Sequence, residues 1–232
     1  MSSFIDAGLE LFPAQQGVWF AQQLMADSAV FNIGQVVWLD GPIDPSVLEA
    51  AWRRTWRDSE TLRTRFALVA GEPVIRSIDD DAPWMVVDAE GHDNGHVMAQ
   101  MRAELAQVRD LLGADLVGSV LFRLGENRWG WFVRIHHILI DAYGLSLISK
   151  RVAEVYTAVL AGREVRETYF APLTDVAAGA QRSVDQVEAD RMFWTSVVRG
   201  RGAGRSLSAE AQPLSPVNPR FPISVDRRMP ET

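Results

Sequence analysis

The stretch that most constrains this chain is a pair of β-rich runs, Val117 to Leu124 and Arg128 to His136, separated by Gly125-Glu126-Asn127. Runs of this length around a Gly-x-Asn turn predict a hairpin. The second run leads through His136-His137-Ile138-Leu139-Ile140-Asp141-Ala142-Tyr143-Gly144 into a helical stripe of Ile148, Val152, Val155 and Val159. Two of the four histidines therefore stand side by side where a strand ends. Neighbouring strand side chains point to opposite faces, so the two cannot easily serve one site, and a two-histidine metal centre is disfavoured. One imidazole should face inward as a structural group while the other faces a cleft. Asp141 also has the position of a helix N-cap. Spacing alone leaves two readings open: a cleft histidine with a chemical role, or a core His136, a plain surface His137 and a capping Asp141.

The rest of the chain supplies material to pack around that hairpin. Pro13 suits the first turn of a helix, with Val18, Phe20 and Leu24 as its apolar positions. Phe31 to Leu39 alternates as a strand does. Asp44-Pro45 opens a second helix, with Leu48, Ala51, Trp52 and Thr55 along one stripe. Leu62 to Val69 and Pro73 to Ile78 flank Gly71 and predict another hairpin, and Trp84 to Val87 a short strand. Val97, Met101, Leu105, Val108 and Leu112 form a helical stripe, and a last helical stretch covers about Thr174 to Val198. Strands mixed with helices predict an α+β fold, one mixed sheet with packed helices.

Composition narrows the function classes. Of 232 residues, 47% are hydrophobic and 23% charged, enough for a core. Lys plus Arg is 23 and Asp plus Glu is 30, a net charge of 23 − 30 = −7, which disfavours nucleic acid as a partner. There is no cysteine, so disulfides, thiolate metal sites and thiol nucleophiles are excluded. No apolar run has the length of a membrane span, and Met1 to Glu10 lacks a basic n-region, so the expected location is cytoplasmic. Residues 199–220, rich in Gly, Ser, Pro and Arg, have linker chemistry, and the same reading covers the small basic cluster Gly200 to Arg205.

Other candidates carry less. His92 and His96 have an i, i+4 spacing, but Gly91, Asn94 and Gly95 predict a turn, and too few ligands are near for a closed metal site. Arg63 and Arg65 have the charge for a carboxylate or phosphate, yet such strand residues are commonly structural or solvated. Trp19, Trp52 and Trp194 lie on helical stripes and read as core.

His136-His137-Ile138-Leu139-Ile140-Asp141 resembles the His-His-x-x-x-Asp-Gly motif of nonribosomal peptide synthetase condensation domains, which belong to the chloramphenicol acetyltransferase-like acyltransferases. Leu11 to Phe20 resembles that family's first motif, a Ser-x-Ala-Gln-x-x-Leu-Trp-like opening. Glu60-Thr61-Leu62-Arg63-Thr64-Arg65-Phe66 resembles the second, and Phe193-Trp194 is also typical. Glu126 to Trp131 looks most like siderophore synthetases of the enterobactin type. Two departures stand out: Asp58-Ser59 replaces the usual Arg-His, and Ala142 replaces the motif glycine, with Gly144 two residues on.

The resemblance implies a chloramphenicol acetyltransferase-like lobe. Residues 1–198 would be the N-terminal lobe, 199–220 a linker, and 221–232, with Phe221 to Val225 as a strand, the start of a C-terminal lobe. The implied reaction is amide-bond formation between a carrier-bound acyl or peptidyl thioester and a carrier-bound aminoacyl amine. The partners are carrier proteins and the second lobe, with neither nucleic acid nor membrane involved. No cofactor is bound directly; phosphopantetheine arms bring the substrates. The difficulty is to orient the amine, take its proton and stabilise the oxyanion, and imidazole titrates near the working pH. By resemblance His137 is the active-site histidine, as general base or as an orienting group. His136 supports it from beneath, Asp141 holds the loop through an arginine ion pair, and Arg63 and Gly144 are structural. An isolated lobe would be poorly active. A non-catalytic partner-recruiting module and a coenzyme A-dependent acyltransferase are the alternatives.

Overall fold

The computed structural model describes residues 8–180 and 183–199. The predicted linker from Gly200 onward and the predicted strand Phe221 to Val225 lie outside the described residues. In chain order the elements are β1 (Leu9–Glu10), α1 (Pro13–Leu24), β2 (Asn32–Asp40), α2 (Pro45–Asp58), β3 (Thr64–Val69), β4 (Glu72–Ser77), β5 (Met85–Asp88), α3 (Asn94–Leu105), β6 (Val117–Gly125), β7 (Arg128–His136), α4 (Ala142–Leu160), α5 (Leu173–Ala180) and α6 (Val184–Val198).

The strands form two sheets where a single one was expected. The four-stranded sheet has the order β2-β7-β6-β5, and the three-stranded one β1-β4-β3. The Val117–His136 run is the centre of the larger sheet. β7 pairs antiparallel with β6 on one side and β2 on the other, while β5 adds a parallel edge. The smaller hairpin turns through Ala70 and Gly71, both at positive φ, the conformation a tight hairpin turn requires.

Side-chain alternation divides the larger sheet between two cores. Trp129, Trp131, Val133 and Ile135 of β7 face α2 and α4, where Trp52, Trp56, Ile148, Val152 and Val155 meet them. Phe132 faces the other way, onto Val97 and Met101 of α3. Phe66 and Ile75 bring the smaller sheet into the first core, alongside Leu11 and Trp19. α2 follows its sequence stripe closely, with Leu48, Ala51, Trp52, Thr55 and Trp56 buried and Asp44 capping the first turn.

Several stripes end earlier than their spacing predicts. α1 buries Trp19 and Gln22, whereas Phe20 and Leu24 face solvent. Gln22 stays buried because its amide donates to the carbonyls of Met25 and Ser28, closing the turn after the helix. α3 stops at Leu105, leaving Val108 and Leu112 exposed. The long C-terminal helix is two helices, and Ser183 with Gln186 forms a capping box that starts the second. Trp194 is 61% exposed on α6, so it is not core as its spacing suggested.

Candidate active site

The site is built where β7 runs into α4. Strand alternation turns His136 onto the α3 face of the sheet, opposite Asn32 of β2. His136 is 2% exposed and its ring lies beside Phe31, centroids 6.1 Å apart. Its Nδ1 accepts the Ile138 N–H at 3.2 Å, which leaves the ring proton on Nε2. Burial, and then the neighbouring charges of His137 and Arg134, pull its pKa down to about 4. A group that stays neutral and accepts from its own loop is a structural pin.

His137 is the other half of the predicted division: its side chain is exposed. Its backbone is nevertheless tightly held. The His137 N–H donates to the Phe31 carbonyl at 2.7 Å, and the Leu139 N–H to the His136 carbonyl at 2.9 Å. Gln15 Nε2, from the first turn of α1, donates to the Ile138 carbonyl at 3.1 Å. Ile138 and Leu139 themselves are buried in the main core. An exposed imidazole thus rides on a backbone fixed from the turn before β2, the end of β7, a helix and the core.

Asp141 caps α4. Its carboxylate accepts the Gly144 N–H at 2.7 Å, and among the described residues no arginine pairs with it, so the expected ion pair is replaced by the cap. The arginine-carboxylate pair of this region lies elsewhere. Arg151 of α4, almost fully buried, donates to Asp58 through Nε at 3.0 Å and Nη2 at 2.6 Å. Asp58 is one of the residues that departs from the family pattern, and here it ties the end of α2 to the middle of α4.

Gly144 is needed for contact. A Cβ there would lie 2.5 Å from Ile140 Cγ1 and 3.3 Å from Asp141 Oδ1. Ala142 occupies the first residue of α4, and its φ is not positive, so it imposes no backbone strain where the motif has glycine. Arg63 bridges main chain, donating to the carbonyls of Ile78 at 3.2 Å and Arg57 at 3.4 Å. Arg65 donates to the Thr64 carbonyl. Glu60, from the same segment, accepts the Leu173 N–H and so anchors the start of α5.

Sequence reasoning missed three sets of contacts: those of Gln15, which it had placed only within a motif, the pairing of Asp58 with Arg151, and those of Arg134. Arg134 is buried on the α3 face, bonded to Glu104 and Asp115, and Arg109 bonds the same two carboxylates. A quartet of alternating charge thus backs the strand two residues before His136. An Arg at a strand position that must face inward was the available signal. For Gln15, and for a bond spanning 123 residues, spacing carried none.

The remaining histidines are peripheral. His92 precedes α3 and His96 lies in its first turn, with Asp93 as N-cap, so the turn predicted there yields to a helix. Their rings lie together, centroids 4.0 Å apart and tilted by 36°. Among the described residues no group of three or more His, Asp or Glu is placed to hold a metal ion. A cleft of about 430 Å³ lies along the far half of α4, lined by Lys150, Arg151, Glu154, Arg163 and Arg166, away from His137. No helix among the described residues is long and apolar enough to cross a membrane.

Comparison with known proteins places this fold in a family. The family model of the Condensation domain matches residues 7–220. The dimodular nonribosomal peptide synthase of Bacillus subtilis is 34% identical over 204 residues, covering 82% of this chain and 8% of the relative. Enterobactin synthase component F of Escherichia coli O157:H7 is 31% identical over 208 residues, covering 86% of this chain and 16% of the relative. Among solved structures, a mutant of the starter condensation domain of rhizomide synthetase, in a product-released conformation, matches with a TM-score of 0.83 at 30% identity. That match covers 91% of this chain and 50% of the solved one. A mutant of the same domain in complex with C8-CoA matches with a TM-score of 0.80 at 30% identity, covering 88% and 48%. The chain therefore spans about half the length of the solved domains and a small fraction of the curated synthetases.

Proposed function

The chain belongs to the condensation-domain family, and from that premise we propose that it forms one lobe of an amide-bond-forming acyltransferase of nonribosomal peptide synthesis. The observation that carries the proposal is the exposed His137 imidazole on a backbone held at His137, Ile138 and Leu139. The acceptor amine attacks the thioester carbonyl, a C–N bond forms, and the C–S bond breaks. The proton leaves the amine through His137 and is returned to the departing thiolate, so the imidazole is regenerated. His136, neutral and buried, keeps the loop in place rather than taking part in the proton transfer. Asp141 caps the helix behind the loop, and Arg63 and Gly144 keep the supporting backbone in register.

The substrates in this reading are carrier-bound thioesters on phosphopantetheine, and the partners are carrier proteins. Residues 1–198 make the lobe, 199–220 a linker and 221–232 the start of a second lobe. Two facts support a second lobe: the solved relatives are about twice as long, and the surface around His137, with Asp141, Ala142 and Tyr143, is open. The lobe alone is therefore a poor catalyst, and a two-lobed domain carrying it is the species to assay. The resemblance to enterobactin synthase favours a siderophore-type peptide.

A second reading concerns the donor. A starter condensation domain at 30% identity is recorded with C8-CoA, which favours an acyl-coenzyme A donor. Single-turnover assays with carrier-bound and coenzyme A-bound donors, in a two-lobed domain carrying this lobe, separate the two. Faster transfer from the carrier supports the first reading, and faster transfer from coenzyme A the second. Amide formation from neither overturns both in favour of a recruiting module.

A further inference from the structure

We infer that Gln15 is a positioning residue, whose side-chain amide holds the main chain that aims His137; the catalytic consequence rests on the role proposed for His137 above. The amide has two partners of opposite kind. Its Oε1 accepts the Phe12 N–H at 3.1 Å, and its Nε2 donates to the Ile138 carbonyl at 3.1 Å. A donor on one side and an acceptor on the other fix which way the amide faces. The first bond is local: the Gln15 side chain reaches back from the third helical position to the N-cap main chain that begins α1. The second reaches the residue directly after His137.

The remaining bonds of this loop go to the residue before β2 and to the last residue of β7. His137 N–H goes to Phe31, and Ile138 N–H and Leu139 N–H go to His136. Among the described residues, Gln15 is the one side chain from a helix that bonds the main chain of 137–139. It acts on the peptide plane shared by the Ile138 carbonyl and the Leu139 N–H, so it fixes Ile138 and limits movement of the chain at His137, one residue before it.

Gln15→Glu separates the two bonds. A glutamate at the third helical position still accepts the Phe12 N–H and suits the positive end of the helix. It has no N–H for the Ile138 carbonyl and sets two acceptors against each other. Two readouts follow. In the 232-residue chain, amide exchange of Ile138 and Leu139 should quicken about three- to tenfold in Gln15→Glu, the range expected for one lost hydrogen bond, while core amides of β7 hold their rates. In a two-lobed domain carrying this lobe, kcat should fall by about the same factor with KM for carrier-bound substrates unchanged. Unchanged exchange at Ile138 and Leu139 overturns the inference. So does full kcat in Gln15→Glu when His137→Ala in the same protein is inactive. If His137→Ala stays fully active while exchange in Gln15→Glu quickens, the role of His137 falls and the clamp stands.

Discussion

Stability should depend on pH through His136, and the size of the effect follows from its surroundings. The ring is buried and its pKa lies at about 4 instead of the ordinary 6.5. In the unfolded chain it takes up a proton as pH falls through 6.5; in the folded chain it resists until about pH 4. The folded state is thus fully favoured above pH 6.5 and loses stability as pH falls from 6.5 to 4. With 1.36 kcal/mol per pKa unit, the loss is about 2 kcal/mol by pH 5 and about 3 kcal/mol by pH 4. Protonation also removes the acceptor of the Ile138 N–H, so the same titration loosens the loop that carries His137. Carboxylates titrate in this range too, so the assay is a difference. Asparagine offers Oδ1 where His136 offers Nδ1, but does not titrate. Urea unfolding of wild type and His136→Asn at several pH values between 7.5 and 4.5 should give curves that converge, or cross, as pH falls. Parallel curves would refute the reasoning, since they would mean that His136 titrates alike in both states.

Three further outcomes follow from neighbouring contacts. Asp58→Ala strands the buried Arg151 guanidinium and should cost about 3–5 kcal/mol in urea unfolding, whereas a loss below about 1 kcal/mol would mean the pair behaves as a solvated one. Gly144→Ala drives a methyl group into Ile140 Cγ1 and should cost about 1–3 kcal/mol, recovered in part by adding Ile140→Ala; no recovery would place the strain elsewhere. Asp141→Ala should lose about 1 kcal/mol of helix capping in the 232-residue chain, while Asp141→Asn, which also caps, keeps most of it. Equal losses in both variants would point to a charge partner instead of the cap.

Where periodicity and capping act locally, the sequence was legible. The stripe of α2, both hairpins, and the opposite burial of His136 and His137 follow from spacings of four, three and two residues. What was not legible depends on which surfaces meet. Phe20 and Leu24 look like core by composition, but α1 turns Trp19 and Gln22 inward, and a polar residue is buried because two carbonyls await it. Two sheets read as one because hairpin signals say which strands pair in sequence, not which pairs join across it. Trp194 kept the spacing of a core residue on a helix that leaves it exposed. In the site, the motif residues were legible, while the contacts that support them were not. Gln15, Asp58 and Arg151 act across 123 and 93 residues of chain, and no local pattern marks such contacts.

The most direct test of the account is the rate of amide-bond formation by His137→Ala, in a two-lobed condensation domain carrying this lobe, measured beside its unfolding free energy. Loss of a positioned general base predicts a fall of about 10²- to 10⁴-fold with stability unchanged, because the side chain is exposed and its loop is held through the main chain. Wild-type rate in a normally folded His137→Ala protein would contradict the central claim.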